Sequence, residues 1–213
     1  AGQSSSTIQA LDKAKEMGCL TLVCSAQKDV PVTAHADSFL KIEVEEDIGP
    51  KTKGYYCSVI AILMLFLELS KEDSEKWISK ILGTIDLIPD IAKTTKQWYE
   101  SEKEELKRFK NIIVIGYDKC LPAATEGALK ILETVQCCVR YYELEEFMHG
   151  IYHGIDKSTL ILALGNQSRH LNRMVRLLGY LKEHKNATTY LISQNKVIKH
   201  DFSYPFIEDS LFV

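Results

Sequence analysis

Three features of this chain point to an α/β fold built on parallel strands, in two related halves. Short stretches that are apolar throughout, NIIVIGY at 111–117 and TLILALG at 159–165, alternate with stretches of helical period. Strands apolar on both faces belong to parallel sheets covered by helices on both sides. The alternation runs twice, over residues 1–85 and 109–213, with a charged helical connector over 86–108 between the runs.

The elements follow in order. Ile8, Leu11, Ala14 and Met17 recur at helical spacing, and Gly18 supplies the stop. CLTLVCSA (19–26) reads as a buried strand and SFLKIEV (38–44) as a more alternating one. Residues 51–70 form a long helix, apolar almost all round, which places it at the centre of its half. Ser70 with Asp73 three residues on resembles a capping box for a helix over 71–82. Pro89 breaks that pattern, and 90–108 is a charged helix whose sparse anchors are Trp98 and Leu106. Strand 111–117 leads through a loop into a helix reaching about Cys138. Strand 159–165, a helix over 169–183 and a strand TTYLIS (188–193) complete the second half.

Composition narrows the function classes. The chain has 213 residues, 46% hydrophobic and 26% charged, with net charge −3. Nothing in that balance calls for nucleic acid or an anionic membrane as a partner. The longest apolar run, 59–67, is about half of the roughly 20 residues a membrane helix needs. The polar N-terminus lacks the apolar core of a secretory leader. Six cysteines without a CxxC pair fit a reduced, cytoplasmic setting.

Two motifs carry chemistry. GQSSST (2–7) stands where a strand should turn into a helix, a place whose unpaired N–H groups and positive dipole end suit an anion. Capping of the helix by Ser6 or Thr7 is the plainer reading, though one hydroxyl suffices for a cap. No GxxxxGK[ST] or GxGxxG occurs, so nucleotide loops of those types are not supported. The second motif, TEGALKILE (125–133), puts Glu126, Lys130 and Glu133 on one helical stripe, with Ala128, Ile131, Leu132 and Val135 on the buried face. His149 follows sixteen residues after Glu133, and His153 four further on. No cysteine or carboxylate completes a zinc pattern there, so no metal site is expected. Residues 141–154 mix Tyr, Phe, Met and Leu with acidic side chains, the composition of an interface core or of a buried loop.

Together the hydroxyl loop, the glutamate helix and the His-Gly pair resemble the sugar isomerase (SIS) domain family of phosphosugar-binding proteins, in its double-SIS form. That family holds the sugar phosphate on a Ser-x-Ser-Gly-x-Thr loop; here Gln3, Ser4, Ser6 and Thr7 stand in it, with Gly2 for the first Ser and Ser5 for the Gly. EGALKILE is similar to the family's Glu-Gly-Ala-Leu-Lys-x-x-Glu, which implies Glu133 as the proton-transfer base and Glu126 in support. His149-Gly150 matches its His-Gly, which implies His149 in sugar ring opening. DIGPKTKG (47–54) resembles the segment that approaches the phosphate, with Lys53 as its lysine.

The resemblance implies two flavodoxin-like three-layer units, lacking pieces at both ends. It implies an enzyme of the isomerase or fructosamine-6-phosphate deglycase type, acting on a 6-phosphorylated keto or amino sugar without a cofactor. It also implies a homodimer whose sites are shared between subunits. The competing class is a phosphosugar-sensing module that performs no chemistry.

Overall fold

A computed structural model describes residues 2–45, 49–71, 73–166, 169–194 and the backbone of 202–203. The chain divides into two compact units, Ala1–Trp77 and Ile78–Val213. Helices alternate with parallel strands in both, so the α/β class expected from the apolar runs is the one observed.

In the first unit, helix α1 (Ser5–Glu16) leads to strand β1 (Leu22–Ser25), a single-turn helix α2 (Pro31–Ala34) and strand β2 (Ser38–Lys41). The two strands pair in parallel, Leu22 opposite Ser38 through Ser25 opposite Lys41. Asp37 fastens this pair: it accepts from the Thr21 amide and hydroxyl, each at 2.8 Å, and meets Lys15 at 3.1 Å. Those contacts, the Thr21 amide first, hold the Asp37 carboxyl below its usual range.

Helix α3 (Lys53–Ser70) corrects a sequence expectation. It was to be central, yet none of its residues is buried, and Phe66 is 61% exposed. Among the described residues its unit offers a two-stranded sheet and the helices α1 and α2, too little apolar surface to cover an 18-residue helix on all sides. In length and hydropathy, 1.4 over 18 residues, α3 reaches what a membrane-crossing helix shows, although core helices reach it too. The next helix, α4 (Ser74–Asp86), also starts later than the capping-box pattern places it. Lys71 adopts a left-handed conformation that ends α3, and Asp73, not Ser70, caps α4 by accepting from the Lys76 amide at 3.3 Å.

The second unit is a doubly wound sandwich. Helix α5 (Ile88–Leu106) precedes strand β3 (Asn111–Gly116), helix α6 (Cys120–Val135), strand β4 (Cys138–Glu143) and helix α7 (Leu144–Met148). A 3-10 turn (Ile151–Gly154), strand β5 (Thr159–Leu164), helix α8 (Leu171–Lys185), strand β6 (Thr188–Ser193) and strand β7 (Phe202–Ser203) follow. The sheet order is β4-β3-β5-β6-β7, all parallel. This is the flavodoxin-like order, reversing direction between β3 and β5. Strand β4 replaces the end of a helix expected to reach Cys138: Gln136 turns left-handed and stops α6. As an edge strand β4 needs no continuous apolar run, so CVRYYE did not stand out.

Alternation along the strands builds two cores. Ile113, Ile115, Ile161, Ala163 and Leu191 face α7 and α8, where Leu144, Phe147, Met174, Leu178 and Leu181 are buried against them. Val114 on the other face meets Ala124 and Ala128 of α6. Ile112, Leu160 and Tyr190, on that same face, receive Trp98 and Leu106 from α5. These are the two anchors picked from the charged helix. Trp98 sits edge-on to Tyr190 at 5.5 Å, and the Tyr190 hydroxyl donates to Glu102 at 2.9 Å.

Candidate functional site

The hydroxyl loop lies in the first unit at the start of α1. Gly2 has φ +78, and a Cβ there would lie 2.6 Å from Val30 Cγ2, so the serine of the related motif does not fit this backbone. The Gly2 carbonyl in turn accepts from the Val32 amide at 3.0 Å. Ser4, not Ser6 or Thr7, occupies the N-cap, and its side chain makes no cap hydrogen bond. Ser4 and Ser6 hydroxyls instead bond each other at 2.9 Å. No acidic residue stands in the first turn of α1, and Gln3, Ser4, Ser6 and Thr7 are all exposed. The capping alternative is therefore not what the loop does. It presents uncapped N–H groups and hydroxyl donors to solvent, an arrangement that suits an anion.

Lys53 opens α3 and donates from Nζ to the Glu45 carbonyl at 2.9 Å. Asp47 and Ile48 of the DIGPKTKG segment lie outside the described residues.

The second unit carries the acid–base groups. On α6, Lys130 Nζ lies 2.6 Å from Glu133 Oε2 and 3.4 Å from Glu126 Oε1. One ammonium therefore bridges both carboxylates, and its pKa is raised, chiefly by the bond to Glu133. Glu133 thus has one oxygen fixed. Its side chain remains 35% exposed, and Oε1 accepts no hydrogen bond among the described residues. A carboxylate held by one oxygen keeps the other available as a proton acceptor. Sequence reasoning alone gives Lys130 no role in the site. Its signal was the 126/130/133 spacing itself, which alone reads as an ordinary surface ion pair.

The rest of α6 differs from expectation. Ala128 is buried and Ile131 packs inward, but Leu132 and Val135 are 47% and 53% exposed. The actual buried row is Cys120, Ala124 and Ala128. Burial pushes the Cys120 thiol up to about 11, with the Asp118 charge adding to it.

His149 ends α7 and is exposed. Glu143 caps the start of that helix, accepting from the Glu145 and Glu146 amides at 2.6 and 3.1 Å. Gly150 follows with φ +138, a conformation L side chains rarely adopt, so the His-Gly pair works as one turn. Much of the apolar content near His149 belongs to the chain's own core: Leu144 and Phe147 are fully buried, which favours the buried-loop reading for them.

Topology separates the two candidate groups. Helix α6 packs on the sheet face opposite to α7 and α8. It leaves the C-terminal edge of the sheet after β3, and Glu133 lies thirteen residues along it, about 20 Å at 1.5 Å per residue. His149 stays near that C-terminal edge, just beyond β4. Within one chain, Glu133 and His149 are on different layers and at different edges.

Comparison with known proteins places these features. Residues 105–197 match the family described as SIS domain. Over 203 residues the chain is 26% identical to a glutamine–fructose-6-phosphate aminotransferase (isomerizing) of Caldanaerobacter subterraneus, covering 90% of this chain and 32% of the relative. A crystal structure of a candidate phosphosugar isomerase from Clostridium difficile 630 matches at TM-score 0.85 and 31% identity, covering 99% of this chain and 62% of that one. A candidate sugar-binding protein from Salmonella typhimurium LT2 matches at TM-score 0.83 and 27% identity, covering 98% of this chain and 65% of that one. The chain thus spans about a third of the length of the curated relative and under two thirds of the structural ones.

Proposed function

We propose, from the match of residues 105–197 to the SIS domain family, that this protein is an enzyme that converts a 6-phosphorylated keto or amino sugar by moving a proton between C1 and C2. The observation that carries this reading is Glu133, one carboxylate oxygen tied to Lys130 and the other accepting no hydrogen bond among the described residues. Hydroxyls and amides of Gln3, Ser4, Ser6 and Thr7 bind the phosphate, with Lys53 in support. His149 assists ring opening, and Glu126 helps hold Lys130. Glu133 then takes the proton from one carbon and returns it to the other through an enediol or enamine. The same transfer serves aldose–ketose isomerisation and, when water then hydrolyses the resulting C1 Schiff base, release of an amine from a fructosamine phosphate.

The layer separation of Glu133 and His149 supports a second element of the proposal: the protein acts as a homodimer in which each site takes Glu133 from one copy and His149 from the other. Six free thiols are in keeping with a reducing, cytoplasmic setting. Covering of α3 by protein surface, with no membrane partner, belongs to the same reading.

The test of the reaction is to incubate the intact protein with fructose 6-phosphate, glucosamine 6-phosphate and a fructosamine 6-phosphate, and to follow products by NMR. Interconversion or amine release is expected. Saturable binding with all three sugars unchanged would instead establish the sensing reading, which likeness to a sugar-binding protein favours. For the shared site, Glu133→Gln and His149→Ala proteins, each inactive, are mixed under subunit exchange. Partial recovery of activity is expected; none, with exchange demonstrated, would place both groups in one copy's site.

A further inference from the structure

On the face of the second unit opposite to α6, an open cavity of about 550 Å³ lies between α8 and the segment carrying α7 and the 3-10 turn. Its walls are Met148, Tyr152, Arg173, Arg176, Leu177 and Tyr180. This volume falls in the range of small-molecule sites. We propose that the cavity is a second binding site, separate from the Glu133 stripe, for a phosphate ester of a ring compound.

Its chemistry is built by the spacing on α8. Arg173, Arg176, Leu177 and Tyr180 recur at three, one and three residues, which keeps them on one face, while Met174, Leu178 and Leu181 turn to the core. Arg173 is held by Glu145 through two contacts, at 2.6 and 2.7 Å, so its charge is matched and its fork is fixed. Among the described residues Arg176 makes one bond, 3.3 Å from Nε to the Asn172 carbonyl, and pairs with no acid. Its two terminal nitrogens remain for a ligand. A guanidinium fork fits phosphate oxygens in pairs.

Aromatic rings complete the lining, Tyr180 from α8 itself and Tyr152 from the 3-10 turn. Tyr152 and Tyr180 meet edge to face at 6.0 Å and 78°, forming a corner. Each ring is backed by an imidazole, His153 at 4.1 Å from Tyr152 and His184 stacked at 4.6 Å on Tyr180. Met148 and the small exposed part of the core residue Leu177 add apolar surface. A bare inorganic anion would use only the arginine, and a neutral sugar would leave it unmatched. A ring bearing a phosphate uses both kinds of group, the ring against tyrosine and the phosphate on Arg176. Sugar phosphates and nucleoside monophosphates share this chemistry.

The inference does not depend on the reaction proposed above, and its test reads binding rather than turnover. Calorimetry on the intact protein compares fructose 6-phosphate, AMP, inorganic phosphate and glucose. Either ester should bind at the cavity more tightly than phosphate, with glucose not bound there, and the tighter of the two identifies the source. Arg176→Ala should weaken that event ten-fold or more and Arg176→Lys less. A Ser4→Ala/Thr7→Ala protein should retain it, which separates it from the hydroxyl loop. Absence of ester binding, an affinity unchanged in Arg176→Ala, or loss in the loop variant alone would overturn the proposal. So would a change in self-association on Arg176→Ala without any effect on ligand, which would make the cavity a contact between copies.

Discussion

The two units of this chain differ in how much they bury. The second closes a five-stranded sheet between helical layers and completely buries Ile115, Phe147, Leu144 and Ile161. The first pairs two short strands and leaves an 18-residue apolar helix without one buried residue. Glu133 and His149 stand on the densely packed unit, whose core fixes the elements that present them. The hydroxyl loop stands on the sparsely packed one, where the Val32 amide on the Gly2 carbonyl, the His35–Asp12 pair and the Asp37 contacts tie the backbone down. In the proposed reaction a base must be placed to within fractions of an ångström, whereas a phosphate can be caught by several donors at once.

The comparison is sharpened most by core truncation. Phe147→Ala removes a fully buried ring packed near Tyr142 and should cost about 3–5 kcal/mol in denaturant unfolding. Phe66→Ala, on exposed α3, should cost less than about 0.5 kcal/mol. A Phe66 cost equal to that of Phe147 would show α3 to be covered in solution and the contrast between units to vanish.

A smaller effect tests the loop. Each hydrogen bond to a charged group is worth about 1.5–3 kcal/mol, so Ser4→Ala or Thr7→Ala should weaken sugar-phosphate binding about ten-fold or more. Unchanged affinity in both, by calorimetry, would remove the first unit from the site. Smallest is a difference in labelling. With its thiol near 11 and buried, Cys120 should resist iodoacetamide at about pH 8 until the protein unfolds, while exposed Cys19 and Cys138 react at once. Early labelling of Cys120 would mean that α6 opens easily from the sheet.

The second unit was the more legible half in sequence, for the same reason that it is better packed. NIIVIGY and TLILALG are buried on both faces and show it by being apolar without interruption. Trp98 and Leu106 were identifiable as anchors because the rest of α5 is charged. Strand β4 escaped because an edge position tolerates Arg140 and Tyr141 at its surface. The apolar length of α3 was read as burial, but periodicity reports what a helix could cover, not what is present to cover it. At the site, the EGALKILE spacing gave the stripe, yet only coordinates show Lys130 serving both glutamates and α6 facing away from α7. The serine-to-glycine exchange at Gly2 likewise had no visible reason until Val30 was seen against it.

The central claim is that Glu133 moves the proton, and the most direct measurement is solvent deuterium wash-in. The intact protein in D₂O with fructose 6-phosphate should place deuterium at C1 or C2, read by NMR. In Glu133→Gln, which keeps the size of the side chain but cannot accept a proton, wash-in should disappear while calorimetry still shows the sugar phosphate bound. Deuterium entering C1 or C2 at an undiminished rate in that variant would contradict the account and assign the proton to another group.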